Sequence, residues 1–324
     1  MDFELNDDQA ALAAGVRSFC EGRLPIDVVR ALEPAGGVDR GLWRELADLG
    51  VFSLRLPEAD GGVGLGWAES VLVAEELGRA LTPGPLLWSQ LLGGLVDGVA
   101  DGSVLVAGVE RDDPSGLVEY GGLVDHLAVL DDDGVRVVGA ADVGLEPQPL
   151  PLDPLTPVWR RTAPLPEGDQ VAGPDEVATL RRGGAVLVAA FLLGIAEVAT
   201  ADAVAYSLER TQFDRPIGSF QSLKHLMADM VIRTELARAA VYAAGVTLDD
   251  PSVGDVERAV AGAKLLAADA AIGNTKSSVQ VHGGMGYTWE IDAHLQLKRA
   301  YALEPTFGTR PELAERLAGL VGQL

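Results

Sequence analysis

Apolar residues recur at helical spacing along most of this chain. Near its start, Leu12, Val16 and Phe19 fall on one face of a helix. Asn6 and Gln9 stand three residues apart, the spacing at which two side chains cap the first turn of a helix. The pattern therefore predicts a first helix that begins next to Asn6, and helices continue to about residue 98.

A loop interrupts this first zone at residues 56–64, Leu-Pro-Glu-Ala-Asp-Gly-Gly-Val-Gly, because proline and paired glycines break both helix and strand. Helical spacing resumes over 68–77, where apolar residues surround three glutamates. We expect Glu75 and Glu76 of this helix to lie on a solvated face.

Between residues 99 and 172 the pattern changes to short apolar runs. Three of them are 104–107, 127–130 and 135–138, and Asp133-Gly134 stands between the last two. Asp-Gly is a strong β-hairpin signal, and short apolar runs bounded by turn residues are typical of strands. This zone therefore predicts a small β domain.

Helical spacing returns at Pro174 and continues to the end of the chain. It predicts helices over roughly 175–209, 220–248, 253–282 and 290–304, with a short terminal helix after Pro311. The fold class is thus mainly α with a small β domain. We expect an N-terminal helical domain at 1–98, a β domain at 99–172 and a helical bundle at 173–324.

Composition narrows the functional classes. The formal net charge is −23, and an acidic surface repels phosphate unless basic residues gather locally, so nucleic acid and anionic membranes are unfavourable partners. Cys20 is the only cysteine, which excludes an internal disulfide framework. The first residues show no basic or apolar signal region, so we expect a cytoplasmic protein. The most apolar stretch, 185–196, is too short to span a bilayer and predicts a buried helix.

Two segments carry candidate ligand-binding residues beside long predicted helices. The first is Arg-Thr-Gln-Phe at 210–213, running on to Phe-Gln at 220–221, and the second is Gln-Val-His-Gly-Gly-Met-Gly-Tyr at 280–287. A guanidinium offers paired donors that suit a pyrophosphate, and glutamine amides suit adenine or ribose edges. Glycines let the backbone approach a ligand closely. Neither segment has the strand-then-glycine-loop fingerprint of dinucleotide binding, so such a site is built on helices.

Each candidate also has a plain structural interpretation. A cation at the end of a helix, such as Arg210, is favoured by the helix dipole without any ligand. Gly283 and Gly284 are also typical of a helix C-terminus. Phe213 and Phe220 fit the role of core anchors equally well. The histidines show no spacing or carboxylate neighbours that indicate a metal site: His126, His225, His282 and His294.

The joint spacing of the two segments resembles the FAD-binding signature of acyl-CoA dehydrogenases. The loop and helix at 56–77 are similar to that family's Pro-Glu-x-x-Gly-Gly segment and the helix after it. The order helical, β, helical bundle is also that of the family, with a C-terminal four-helix bundle. The residues that keep the spacing of the family signature after the long helix are Arg210, Phe213, Phe220, Gln221, Ala228, Asp229 and Met230.

The resemblance implies FAD as cofactor, gripped across a dimer interface so that these residues serve the flavin of a neighbouring subunit. It implies that Arg210 contacts the phosphates and that Phe213 packs on the cofactor. The full set of implied cofactor-binding residues is Arg210, Gln212, Phe213, Gln221, Gln280, Gly283 and Gly284.

Two departures from the family change the functional expectation. Acyl-CoA dehydrogenation needs a carboxylate to take the α-proton, yet Phe307 aligns with the family's glutamate, and the alternative glutamate position falls near Gly184. The middle β domain is shorter than usual and lacks the Thr-Glu-Pro…Gly-Ser-Asp segment that cradles the flavin in relatives. We therefore expect no catalytic residue in this chain.

A shortened subunit without a base resembles the smaller subunit of heteromeric acyl-CoA dehydrogenases from bacterial steroid side-chain degradation. The partners implied are a full-length acyl-CoA dehydrogenase subunit, an acyl-CoA substrate and an electron carrier. Other functions stay open. One is a self-sufficient homo-oligomeric dehydrogenase with Glu304 or Glu290 as base. Another is a related flavin oxidase, and a third is a non-catalytic structural subunit.

Overall fold

The computed structural model describes residues 5–321. Helices lie toward both ends of this described range. They are α1 (Asp7–Arg23), α2 (Ile26–Ala31), α3 (Arg40–Asp48), α4 (Trp67–Arg79), α5 (Leu86–Leu92), α6 (Pro174–Glu209), α7 (Gln221–Asp249), α8 (Val256–His282), α9 (Ala293–Leu303) and α10 (Arg310–Val321).

Short strands occupy the middle of the chain, with one further pair after α6. They are β1 (Val106–Glu110), β2 (Leu117–Glu119), β3 (His126–Asp131), β4 (Gly134–Gly139), β5 (Leu145–Pro147), β6 (Val158–Arg161), β7 (Asp169–Ala172), β8 (Thr211–Gln212) and β9 (Arg215–Pro216). The strand orders are β1-β3-β4-β7 in a four-stranded sheet and β2-β6-β5 in a three-stranded sheet, while β8 and β9 form a hairpin. The predicted fold class, mainly α with a small β domain, is confirmed.

Local sequence signals explain several of these elements. The backbone N–H of Gln9 donates to the Asn6 side chain at 2.9 Å, and the N–H of Asn6 donates to the Gln9 side chain at 3.2 Å, so α1 begins at a reciprocal cap. Asp133-Gly134 lies at the turn between β3 and β4. These two strands pair antiparallel, with Asp131 opposite Gly134. Gly134 has a φ of +153° there, a conformation that favours glycine.

One compact unit contains residues 5–22, 67–82 and 185–321 of the described chain. In it α4 packs on α7, and α8 packs on α7, α9 and α10. The Asp249 carboxylate at the end of α7 accepts hydrogen bonds from the first N–H groups of α4, at Trp67 and Ala68, with lengths of 2.8 and 2.9 Å. A carboxylate at a helix N-terminus is stabilised by the helix dipole, so these bonds attach the early helix α4 to the late helix α7.

The second compact unit contains residues 23–66 and 83–184, including both larger sheets. Its core includes fully buried side chains of β1, β3 and β4. Both units are assembled from separated stretches of the chain, whereas the three zones 1–98, 99–172 and 173–324 describe the sequence order of helices and strands. Those zones therefore stay a prediction as domain boundaries.

The apolar stretch at 185–196 lies in the middle of α6, and each of its residues except Gly194 is named among the core residues with at most 2% exposure. The buried helix is confirmed, but the argument from length was wrong, since α6 has 36 residues. By length and composition α6 could cross a membrane, yet 78% of its most apolar window is buried inside the structure. A core helix has these same properties.

Candidate functional site

The two candidate segments meet at one end of the helical unit. The first connects α6 to α7 through the β8–β9 hairpin, and the second covers the end of α8 and the turn after it. The rings of Tyr206 on α6 and His282 on α8 lie 4.3 Å apart between centroids. Beneath them Ala203, Met230 and Val281 form a buried cluster that draws on α6, α7 and α8. Segments separated by about 70 residues are thereby held side by side.

The Arg210 side chain lies exposed immediately after α6. Its backbone is fixed, because its N–H donates to the Tyr206 carbonyl at 2.9 Å and its carbonyl accepts from Ile217 N–H at 2.8 Å. Within residues 5–321 its guanidinium has no side-chain hydrogen bond or ion pair. In a chain with a net charge of −23, an arginine without a carboxylate partner remains available for an anionic ligand.

The hairpin tip projects Phe213 into solvent. Phe213 is 87% exposed, so the interpretation of this residue as a core anchor is wrong. Phe213 and Asp214 have φ values of +52° and +60°, a left-handed conformation that costs a non-glycine residue about 1–3 kcal/mol. The Phe213 ring meets Phe220 edge-on at 6.1 Å, and the Arg215 guanidinium stacks 4.1 Å above the Phe220 ring. The Phe213 ring is thus exposed to solvent although exposure of an aromatic ring is unfavourable, and its backbone adopts a conformation that non-glycine residues disfavour.

The glycine turn after α8 leaves open space beside the backbone. Gly283 ends the helix with φ +60° and ψ −135°, a conformation that L side chains rarely adopt. A Cβ placed on Gly283 or on Gly284 would meet nothing within 4 Å. Gly283 therefore ends the helix α8, as expected of a glycine at a helix C-terminus. Together with Gly284 it also leaves room for a ligand to approach the main chain.

The three glutamines of the set differ in their freedom. Gln221 begins α7 and Gln280 lies in the last turn of α8, and both are exposed. The Gln212 amide already donates to the Thr211 carbonyl at 2.8 Å. Together a free guanidinium, two free amides and an open glycine turn form a donor set whose chemistry fits a dinucleotide.

Comparison with known proteins decides the family. The sequence profile of the acyl-CoA dehydrogenase N-terminal domain matches residues 6–96, and that of the C-terminal domain matches residues 180–318. The protein named acyl-CoA dehydrogenase IpdE2 of Mycolicibacterium smegmatis is 32% identical over 97% of this chain and 98% of its own length. The chain belongs to the acyl-CoA dehydrogenase family.

Solved structures of this family share the fold over the whole chain. A chain from the structure of the ChsE4–ChsE5 complex of Mycobacterium tuberculosis superposes with a TM-score of 0.83 at 24% identity, and the match covers 100% of this chain and 100% of that chain. A chain from the structure of a Tcur3481–Tcur3483 steroid acyl-CoA dehydrogenase variant gives a TM-score of 0.83 at 25% identity, and the match covers 98% of this chain and 98% of that chain. As an acyl-CoA dehydrogenase this chain is an oxidoreductase that acts on acyl-CoA, with FAD as the cofactor.

Phe307, which the sequence resemblance aligns with the family's base position, lies between α9 and α10 with a φ of +58°. The loop between these two helices is fixed by Lys264 on α8, which is 1% exposed and donates to the carbonyls of Glu304 and Thr306 at 2.8 Å and of Gly308 at 3.4 Å. Burial lowers the pKa of the Lys264 ammonium to about 8. Sequence reasoning missed this residue, whose only signal is a lysine within the apolar run of α8.

The two carboxylates considered as alternative bases lie in different settings. The Glu304 carboxylate accepts a hydrogen bond from the Arg310 N–H at 3.1 Å, at the start of α10. Glu290 is exposed in the turn after the glycine segment. One side chain is thus engaged in the fold and the other faces solvent.

Proposed function

We propose that this chain is the subunit of a heteromeric acyl-CoA dehydrogenase that completes the FAD site of a base-bearing partner and supplies no base itself. The observation that carries the proposal is the exposed end of the helical unit, where a free guanidinium, an outward aromatic ring and an open glycine turn lie together. Such donors suit a ligand held against this chain from outside.

In this proposal Arg210 donates to the FAD pyrophosphate and Phe213 packs on the cofactor. Glutamine amides bind the adenine or ribose edges, and the backbone of the glycine turn approaches the dinucleotide. The assigned residues are Arg210, Gln212, Phe213, Gln221, Gln280, Gly283 and Gly284.

Exposed apolar side chains support a partner subunit at this end of the unit. Tyr287 is 83% exposed and Trp289 56% exposed, next to the glycine turn. On α7, Val231, Ile232 and Leu236 are also exposed, on the helix that starts at Gln221. Exposed apolar side chains of this size are typical of protein interfaces, and aromatic residues are enriched in them.

The reaction proposed for the complex is α,β-dehydrogenation of an acyl-CoA thioester in the cytoplasm. The FAD that these residues would hold would supply a hydride acceptor for the β-hydrogen, and an electron carrier would receive the electrons. The α-proton goes to a carboxylate of the partner, since Phe307 occupies the family position in this chain and cannot accept a proton. The name of the Tcur3481–Tcur3483 steroid acyl-CoA dehydrogenase supports a steroid-derived acyl group, and the ChsE4–ChsE5 complex supports two unlike subunits.

Replacing Arg210 by alanine in the assembled enzyme tests the cofactor assignment. We expect FAD binding to weaken by about 1.5–3 kcal/mol, the range for losing a hydrogen bond to a charged group. Arg210→Lys should recover only part, because an ammonium lacks the paired donors of a guanidinium. The dissociation constant of FAD, measured from the change in flavin fluorescence, gives the loss of affinity.

Arg160→Ala is a suitable control, since this exposed arginine of β6 donates to the Ser115 carbonyl in the β-sheet unit. If Arg210→Ala retains FAD as tightly as the Arg160 variant does, Arg210 is only a helix-end residue and the proposed cofactor contact is wrong.

A further inference from the structure

Arg233 on α7 has no carboxylate partner among the described residues. Its side chain is half-buried, and its guanidinium donates to the side-chain oxygen of Asn274 on α8 at 2.9 Å. Within residues 5–321 this neutral amide is the only hydrogen-bonding partner of the guanidinium, and no ion pair involves it. A guanidinium has several N–H donors, so Arg233 keeps donors that no group of the described chain uses.

Arg238, further along α7, shows the paired arrangement. Its guanidinium bridges the carboxylates of Glu75 on α4 and Glu197 on α6. Glu75 is 3% exposed and its neighbour Glu76 is 4% exposed, so the expectation that these two glutamates lie on a solvated face is wrong. The helical unit thus pairs one arginine of α7 with carboxylates and leaves Arg233 unpaired, and an anionic partner for Arg233 has to come from another molecule.

The Arg233 side chain is held in place before any partner binds. It passes beside Gly273 of α8, where an added Cβ would lie 3.3 Å from the Arg233 Cδ and 3.4 Å from its Nε and Nη1. Asn274 is itself fixed, because its amide nitrogen donates to the Met230 carbonyl and to the Thr234 hydroxyl, both at 2.9 Å. A group that is already ordered loses little conformational entropy on binding, so Arg233 is prepared for an anion.

Large apolar side chains beside Arg233 on α7 are exposed. Ile232 precedes it with 57% exposure, and Leu236 lies about one turn further along with 56% exposure. On α8, which packs against α7, Leu266 is also exposed. Arginine together with large apolar side chains is typical of the centre of protein interfaces, where arginine is among the residues that contribute most to affinity.

The net charge of the chain lies outside the region that carries Arg233. Residues 210–300 contain ten Lys or Arg and ten Asp or Glu, whereas the whole chain has a net charge of −23. Because like charges repel, an acidic group is repelled less by this neutral region than by the rest of the chain. The charge distribution therefore favours the approach of a carboxylate to Arg233.

We propose that Ile232, Arg233 and Leu236 form a docking face for the base-bearing partner subunit, and that Arg233 binds a carboxylate of that partner set among apolar side chains. The face continues along the helix that begins at Gln221, one of the residues assigned to the partner's FAD. A subunit whose flavin reaches the start of α7 is thus placed to cover the same helix further along.

This docking rests on the proposed function, which supplies the partner, but it concerns assembly and not the cofactor contact. Arg233 lies about 18 Å along α7 from Gln221, at the rise of an α-helix. It is therefore a site distinct from the assigned FAD-binding residues.

Charge reversal at Arg233 tests the docking in the assembled enzyme. With FAD saturating, we expect Arg233→Glu to raise the dissociation constant of the two subunits about thirtyfold or more, because an interfacial charge pair is replaced by two like charges. Arg233→Lys should recover only part of the affinity, since an ammonium lacks the paired donors of a guanidinium. Analytical ultracentrifugation measures the dissociation constant.

Two further variants separate docking from folding. Leu236→Glu changes an exposed side chain of the same face and should also weaken assembly, which keeps the test valid if Arg233→Glu does not fold. Arg258→Glu is the matched control, because it makes the same charge change at an exposed position of α8 about 22 Å along the helix from Gly273. This control should assemble as the wild type does.

The two proposals fail in different ways. Wild-type assembly of both Arg233→Glu and Leu236→Glu would overturn the docking face and leave the FAD contact of Arg210 standing. If these variants instead dissociate a dimer of this chain and leave its contact with the partner intact, the face binds a second copy and the partner assignment is overturned. Unchanged FAD affinity in Arg210→Ala, with assembly still broken by Arg233→Glu, would overturn the cofactor contact alone and support the docking face.

Discussion

Glu304→Gln and Glu290→Gln in the assembled enzyme are expected to keep near-normal turnover, whereas removing the partner's base should lower turnover about a hundredfold or more. The Glu304 carboxylate accepts a hydrogen bond from the Arg310 N–H. The backbone carbonyl of Glu304 accepts another from the buried Lys264 side chain. A general base must reach the substrate proton directly or through one water. Single-turnover flavin reduction with an acyl-CoA substrate measures the chemical step.

The matched comparison uses each variant at equal FAD content and equal assembly. If Glu304→Gln or Glu290→Gln alone lowers the rate of flavin reduction about a hundredfold, this subunit is itself catalytic. The homo-oligomeric function then replaces the heteromeric one.

Gly78→Ala is expected to destabilise the chain by about 3 kcal/mol, the upper part of the range for overpacking a tight interior. A Cβ at this position would lie 2.1 Å from the Phe191 carbonyl oxygen, and the reciprocal contact occurs between Gly194 and the Glu75 carbonyl. Both partners are helix backbone, so neither can move aside as a side chain does. Urea unfolding compared with the wild type gives the loss.

Gly262→Ala on α8 is the control for this effect, because a Cβ there meets nothing within 4 Å. The better helix propensity of alanine should leave that variant neutral or up to about 1 kcal/mol more stable. Equal stability of the two variants would mean that α4 and α6 do not cross at Gly78.

Local and periodic signals predicted the helices and the β3–β4 hairpin of this fold. The reciprocal Asn6–Gln9 cap, the helix at Pro174–Glu209 and the turn at Asp133-Gly134 each depend on residues close together in sequence. Their physical causes are local, so the sequence displays them directly.

Features that depend on contacts distant in sequence were not predictable in this way. Glu75 is buried because Arg238 lies 163 residues later in the chain, and Lys264 is buried because a loop 40 residues later supplies carbonyl acceptors. Nothing in the spacing around Glu75 distinguishes it from a solvated glutamate. The candidate site shows both cases, since the motif residues were visible in sequence but the exposure of Phe213 was not.

The flavin content of the purified chain tests the proposed division of labour most directly. Expressed alone, the chain should be colourless and carry far less than stoichiometric FAD, because the segment that cradles the flavin in relatives is missing from residues 99–172. Assembled with a base-bearing acyl-CoA dehydrogenase subunit, it should acquire tightly bound FAD, and Arg210→Ala should reduce that content. A yellow homo-oligomer with stoichiometric FAD and acyl-CoA dehydrogenase activity would contradict the account.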